Sequence, residues 1–244
     1  MLMCFSWATA SANMEPTAIP PSEPAAAPAP FLGSYGMQVS AAPFSEFATY
    51  NGYSFAGHTL YKVYITTANS DDLVVSVYGD GSDATELAAP SGIYNSYYAT
   101  GPTGSETGMD VSGYDSYLTI DLTSGPVLPS SPNEEIALSG TGSDDLGGWF
   151  HATNGLSDPV DFSTATLQAD VEWGVTAAAA NAVAGVDKKV LVMQVNSPGM
   201  VSGQLHAVVY PHGVAADAII VRAAFDGATV SSSVVLGCTD VNAC

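Results

Sequence analysis

Apolar and polar residues alternate over residues 58–67 (HTLYKVYITT), setting Tyr61, Val63 and Ile65 on one face and Leu60, Lys62 and Tyr64 on the other. A two-residue period marks a half-buried strand, because successive Cβ atoms leave a strand on opposite sides. Residues 73–78 (LVVSVY) repeat the signal after Asn69, Ser70, Asp71 and Asp72, a turn by composition. In residues 117–122, Leu118, Ile120 and Leu122 fall on one face and Tyr117, Thr119 and Asp121 on the other. Three further β-rich runs follow at 189–195 (KVLVMQV), 204–210 (QLHAVVY) and 218–225 (AIIVRAAF). Connections rich in Gly, Ser, Asp and Pro separate the runs at 79–83, 100–108 and 124–133. One stretch, 176–185 (TAAAANAVAG), predicts a helix, with Thr176 as N-cap and Gly185 past its end. Many strands without regular helical alternation predict an all-β fold. The expected form is a single antiparallel β-sandwich or jelly-roll-like domain over residues 33–230. No repeat of fixed period occurs, which speaks against a propeller or solenoid.

The pattern breaks at the N-terminus. Residues 15–32 form a Pro/Ala-rich linker in which Pro16, Pro20, Pro21, Pro24, Pro28 and Pro30 fix φ and remove backbone donors. Such a segment predicts an extended polyproline arm. Thr17 and Ser22 within it are candidates for O-glycosylation, and no Asn-x-Ser/Thr sequon occurs anywhere. Residues 1–14 open with MLMCFSWATASA, which reads either as an export signal cleaved after Ala12 or as a retained apolar strand. In the second reading Met1, Met3, Phe5 and Trp7 occupy alternate positions that suit pockets on one face of a neighbouring sheet. No stretch approaches the roughly 20 apolar residues that cross a bilayer as a helix. Residues 231–244 form a tail in which Cys238 and Cys244 close a short loop and can pair in an oxidising compartment.

Charge narrows the partners. Twenty-four acidic residues stand against four basic ones (Lys62, Lys188, Lys189, Arg222), a formal net charge of −20. That field repels phosphate backbones and anionic lipid, and it suits divalent cations or salt-rich water. Asp80, Asp83 and Glu86 place oxygen ligands around a glycine turn, a candidate calcium site, although the full EF-hand spacing is absent. Solvated turn carboxylates give the same pattern. Asp71, Asp72, Asp144 and Asp145 are further possible donors. The histidines (His58, His151, His206, His212) show no zinc-binding spacing, and His206, inside an apolar run, predicts a packed or edge residue. Neither G-x-S-x-G nor C-x-x-C occurs, and paired carboxylates such as Glu134–Glu135 carry no specificity in so acidic a chain. No catalytic motif emerges, and no cofactor beyond calcium is suggested. Tyr94, Tyr97, Tyr98 and Trp149 lie in or beside Gly/Ser/Asn-rich segments, where a ring can stack on a sugar or pack in a core.

The closing octapeptide GCTDVNAC (residues 237–244) resembles the GCTD-x-x-AC opening of short acidic Cys-rich repeats in large secreted proteins of aquatic bacteria and algae. Residues 61–80 and 189–213 give the body a looser resemblance to uncharacterised secreted β-sandwich proteins of such organisms. The resemblance implies export and an aquatic setting, and carries no catalytic residue across. An apolar segment, a stiff arm and a sandwich, in that order, predict a structural subunit of an extracellular fibre or surface assembly. Its copies would join head-to-tail, self being the partner. The alternative is a cell-surface module that binds glycans through Tyr94, Tyr97, Tyr98 or Trp149, and a secreted hydrolase comes third.

Overall fold

A computed structural model describes residues 34–45, 48–50, 53–79, 84–95, 115–122, 132–139, 160–161 and 172–236. These form fourteen strands. The first seven are β1 (Gly36–Pro43), β2 (Thr49–Tyr50), β3 (Tyr53–Ser54), β4 (Thr59–Thr66), β5 (Leu73–Tyr78), β6 (Glu86–Ala89) and β7 (Tyr117–Leu118). Then come β8 (Ala137–Ser139), β9 (Val160–Asp161), β10 (Glu172–Gly174), β11 (Lys189–Ser197), β12 (Ser202–Tyr210), β13 (Ile219–Asp226) and β14 (Thr229–Leu236). One sheet has the order β1-β4-β11-β7. The larger runs β14-β13-β12-β5-β10-β8, with β6 on β12 beyond β5 and β9 on β6; β2 and β3 form a small hairpin. Every pairing is antiparallel. The fold is an all-β sandwich.

The predicted alternation is what closes it. Tyr61, Val63 and Ile65 of β4 and Met37 and Val39 of β1 turn inward from one sheet. Leu205, Ala207 and Val209 of β12 and Ile219, Val221, Ala223 and Phe225 of β13 turn inward from the other, into the same core. Burial of this apolar area is the main driving force for the two layers to meet.

Strand β11 lacks the alternation because both its faces are covered. Val190, Met193 and Val195 stand opposite the inward residues of β4, while Leu191, Gln194 and Asn196 are buried on the other side. Its register slips between Leu191 and Met193, so Val192 is an extra residue in the strand. The carbonyl of Val192 accepts the Thr119 amide at 3.1 Å and the indole Nε1–H of Trp173, from β10 in the opposite sheet, at 3.2 Å. Trp173 is 1 % exposed, so this bond ties the two layers together inside the core.

Two expectations change. The run 117–122 stops as a strand after Leu118, since Asp121 takes a left-handed φ of 51° and its backbone N–H turns to the Leu191 carbonyl. The predicted helix over 176–185 is instead a turn and one short 3-10 segment, Ala180–Ala182. Tertiary contacts override alanine's helix propensity there. Ala179 and Ala182 pack against Leu73 and Val75, and Val183 makes a bridge to Leu73. The Asn181 side chain accepts the Glu134 N–H at 2.9 Å and donates to the Ile120 carbonyl at 2.6 Å. Thr176 still makes a local turn, its Oγ1 accepting the Ala178 amide at 3.3 Å.

Candidate functional site

The sandwich ends in edges of two kinds. Among the described residues, β7 and β8 stand at the other edges and are two and three residues long, and short strands are a common way of blunting an edge. Strands β1 and β14 are eight residues each. Among the described residues β1 pairs with β4 alone and β14 with β13 alone. Neither sequence, GMQVSAAP or TVSSSVVL, contains a charged side chain, although the chain carries 24 acidic residues. Long edges free of charge lack the usual guard against pairing with another chain. Both lie on one flank, because β1 crosses β14 closely: a Cβ on Gly36 would stand 2.8 Å from Ser232 Oγ. From Ser40 to Pro43 the side chains of β1 are exposed.

Behind the outer face of β11 lies a buried polar network. His58 is 3 % exposed, and its Nδ1 lies 2.8 Å from Asn196 Oδ1 and its Nε2 2.9 Å from the Tyr53 hydroxyl. The Asn196 oxygen only accepts, so Nδ1 carries the proton and Nε2 accepts the tyrosine O–H. Gln194 donates to the Asp115 carbonyl at 2.8 Å, and the Asn196 N–H donates to Ser116 Oγ at 3.0 Å. The rings of Phe44, Tyr53, Phe55 and Tyr94 pack beside His58. Tyr94 is 3 % exposed within that cluster, where its ring packs against Tyr53 and Phe55 rather than facing solvent.

Burial pushes the His58 ring below its ordinary value of 6.5, against the upward pull of Asn196. Below that pH the unfolded chain takes up a proton that the folded chain resists, so stability falls as pH drops. His212 works in the opposite sense. Its hydrogen bond to Asp71 raises it, so that contribution is present in acid and lost as pH rises. The His212–Asp71 pair is solvent-exposed and weak. Urea unfolding between pH 7.5 and 5 is therefore expected to show a falling midpoint, flattened in His58→Gln; an unchanged slope in that variant would place the effect elsewhere.

Asp71, Asp72 and His212 bring three ligand atoms within 4.8 Å of one another. The bonding of Asp72 argues against a metal there. Its carboxylate accepts the Asn69 N–H at 2.9 Å, the Asn69 side-chain amide at 3.1 Å and the His212 N–H at 2.9 Å. Burial above all, then the neighbouring Asp72 carboxylate, raises the pKa of the Tyr35 hydroxyl. With three donors on its two oxygens, Asp72 is a structural clasp between the 69–72 turn and the 211–213 turn.

Of the other residues singled out in the sequence, Glu86 opens β6 and is exposed. His206 is 2 % exposed and sits in a central strand between Tyr78 and Arg222. Met1, Met3, Phe5, Trp7, Thr17, Ser22, Asp80, Asp83, Tyr97, Tyr98, Trp149, Cys238 and Cys244 lie outside the described residues. No helix among the described residues is long and apolar enough to cross a membrane. The fold defines a class, an acidic antiparallel β-sandwich in which, among the described residues, two charge-free strands stand at the edges. No protein-family model matches the sequence, no curated protein matches it, and no solved structure matches the fold.

Proposed function

We propose that the protein is a structural subunit of an extracellular fibre or surface assembly. In it, residues 1–12 of one copy, with Met1, Met3, Phe5 and Trp7 on one face, add as a strand to β1 or β14 of the next. The supporting observation is the pair of eight-residue edges without a charge in a chain of net charge −20. Strand addition takes its affinity from main-chain hydrogen bonds, which open edges supply. The acidic remainder of the surface repels other copies, so assembly requires screening by salt.

Light scattering and negative-stain microscopy of the full chain test this across a salt series. Filaments are expected at high ionic strength and disassembly on dilution. Deletion of residues 1–12, or Ala41→Lys in the exposed half of β1, is expected to leave a folded monomer. Filaments that persist in both variants, or a monomer at every salt concentration, would falsify the proposal.

A further inference from the structure

The outer face of the larger sheet carries a groove of about 580 Å³ across β8, β10, β5 and β12. Its floor is low because β10 contributes Gly174, where a Cβ would stand 2.5 Å from the Val75 carbonyl oxygen and 2.8 Å from Ser76 Cβ. Val75, Ala137 and Val208 make the floor apolar, and Tyr210 presents a ring at its side.

Acid marks both ends. Glu172, exposed, stands opposite Ser139 at one end of the β8–β10 pairing. At the other end Glu134 accepts the Thr176 N–H at 2.9 Å and its hydroxyl at 2.7 Å, with Glu135 beside it. These bonds hold the Glu134 carboxyl below its usual range. Asn181 clamps the backbone of this end, accepting the Glu134 N–H and donating to the Glu134 carbonyl at 3.0 Å. From Glu172 to Thr176 is four residues, roughly 13 Å of extended chain. Among the described residues none of those lining the groove is basic.

We infer that this groove binds a linear polyamine, with terminal ammonium groups at Glu172 and at Glu134–Glu135 and the methylene stem on the valine floor. Two negative poles separated by an apolar floor complement cations joined by an apolar stem, and a tyrosine ring adds a favourable face for an ammonium. The inference stands apart from the assembly reading, since it uses neither edge strand.

Spermidine titrated calorimetrically into the full chain at low ionic strength is the test. A chain so acidic attracts any polycation, so the decisive comparison is between two pairs of charge-removing variants. Glu135→Gln with Glu172→Gln is expected to weaken a saturable one-to-one isotherm about five- to tenfold. Glu86→Gln with Asp226→Asn removes the same charge elsewhere and is expected to leave it nearly unchanged. Equal weakening by both pairs, or uptake of many equivalents without saturation, overturns the inference by reducing the effect to general counterion attraction. So does a neutral hexasaccharide that binds where spermidine does not, because the groove would then recognise hydroxyl groups.

Discussion

Replacing Asp72 by alanine is expected to lower the unfolding free energy by about 3–5 kcal/mol, because one carboxylate satisfies several donors and hydrogen bonds to charged groups are each worth about 1.5–3 kcal/mol. The Asn69 N–H, the Asn69 side-chain amide and the His212 N–H all point at it, and it is 0 % exposed. Without the carboxylate, three part-buried donors at this corner lose their acceptor at once. The corner also holds unusual backbone, since His212 has a φ of 51°. Asp72→Asn keeps the volume but turns an NH2 group toward donors, so it recovers little. Denaturant unfolding checks both variants. A loss within about 0.5 kcal/mol in Asp72→Ala, the range of ordinary surface substitutions, would show that water replaces the carboxylate.

The second large effect is at Trp173. Trp173→Ala is expected to cost about 3–5 kcal/mol, the usual range for emptying a large buried aromatic site. Trp173→Phe separates volume from hydrogen bonding. It keeps most of the packing but removes the indole N–H from the Val192 carbonyl, which retains the Thr119 amide at 3.1 Å. A cost of about 1 kcal/mol is expected for the phenylalanine variant, the typical net value of one hydrogen bond. Equal destabilisation by the two variants would mean that the bond between the sheets outweighs the packing.

The strands that could be read in the sequence are those with one wet face. In β4 the residues Tyr61, Val63 and Ile65 sit inward as their alternation requires. Strand β11 was legible only as a β-rich run, because Gln194 and Asn196 are buried by hydrogen bonding rather than by apolar character. Their two-residue spacing within an apolar run was the available signal of a polar, covered second face. Strand β1, with exposed Ser40 and Ala42, and β14, with Ser231, Ser232 and Ser233, carry no clear strand signal in the sequence, since small polar residues also suit turns. Strand β14 accordingly runs to Leu236, past the expected end of the sandwich at residue 230. The alanines of 176–185 misled in the other direction, because propensity is a local quantity and Asn181 is held from afar. Asp72 was visible as a turn residue, but its role depends on Tyr35 and His212, which are distant in sequence.

In the proposed assembly, the close approach of β1 to β14 at Gly36 would limit how many strands one copy accepts. There a Cβ on Gly36 would stand 2.8 Å from Ser232 Oγ, so a strand added along one of these edges would crowd a second strand added along the other. A unit that accepts one strand and donates one can extend a thread but cannot branch it. Material built this way would gain thickness through lateral packing of finished threads, a step in which the carboxylates, rather than the edges, would meet.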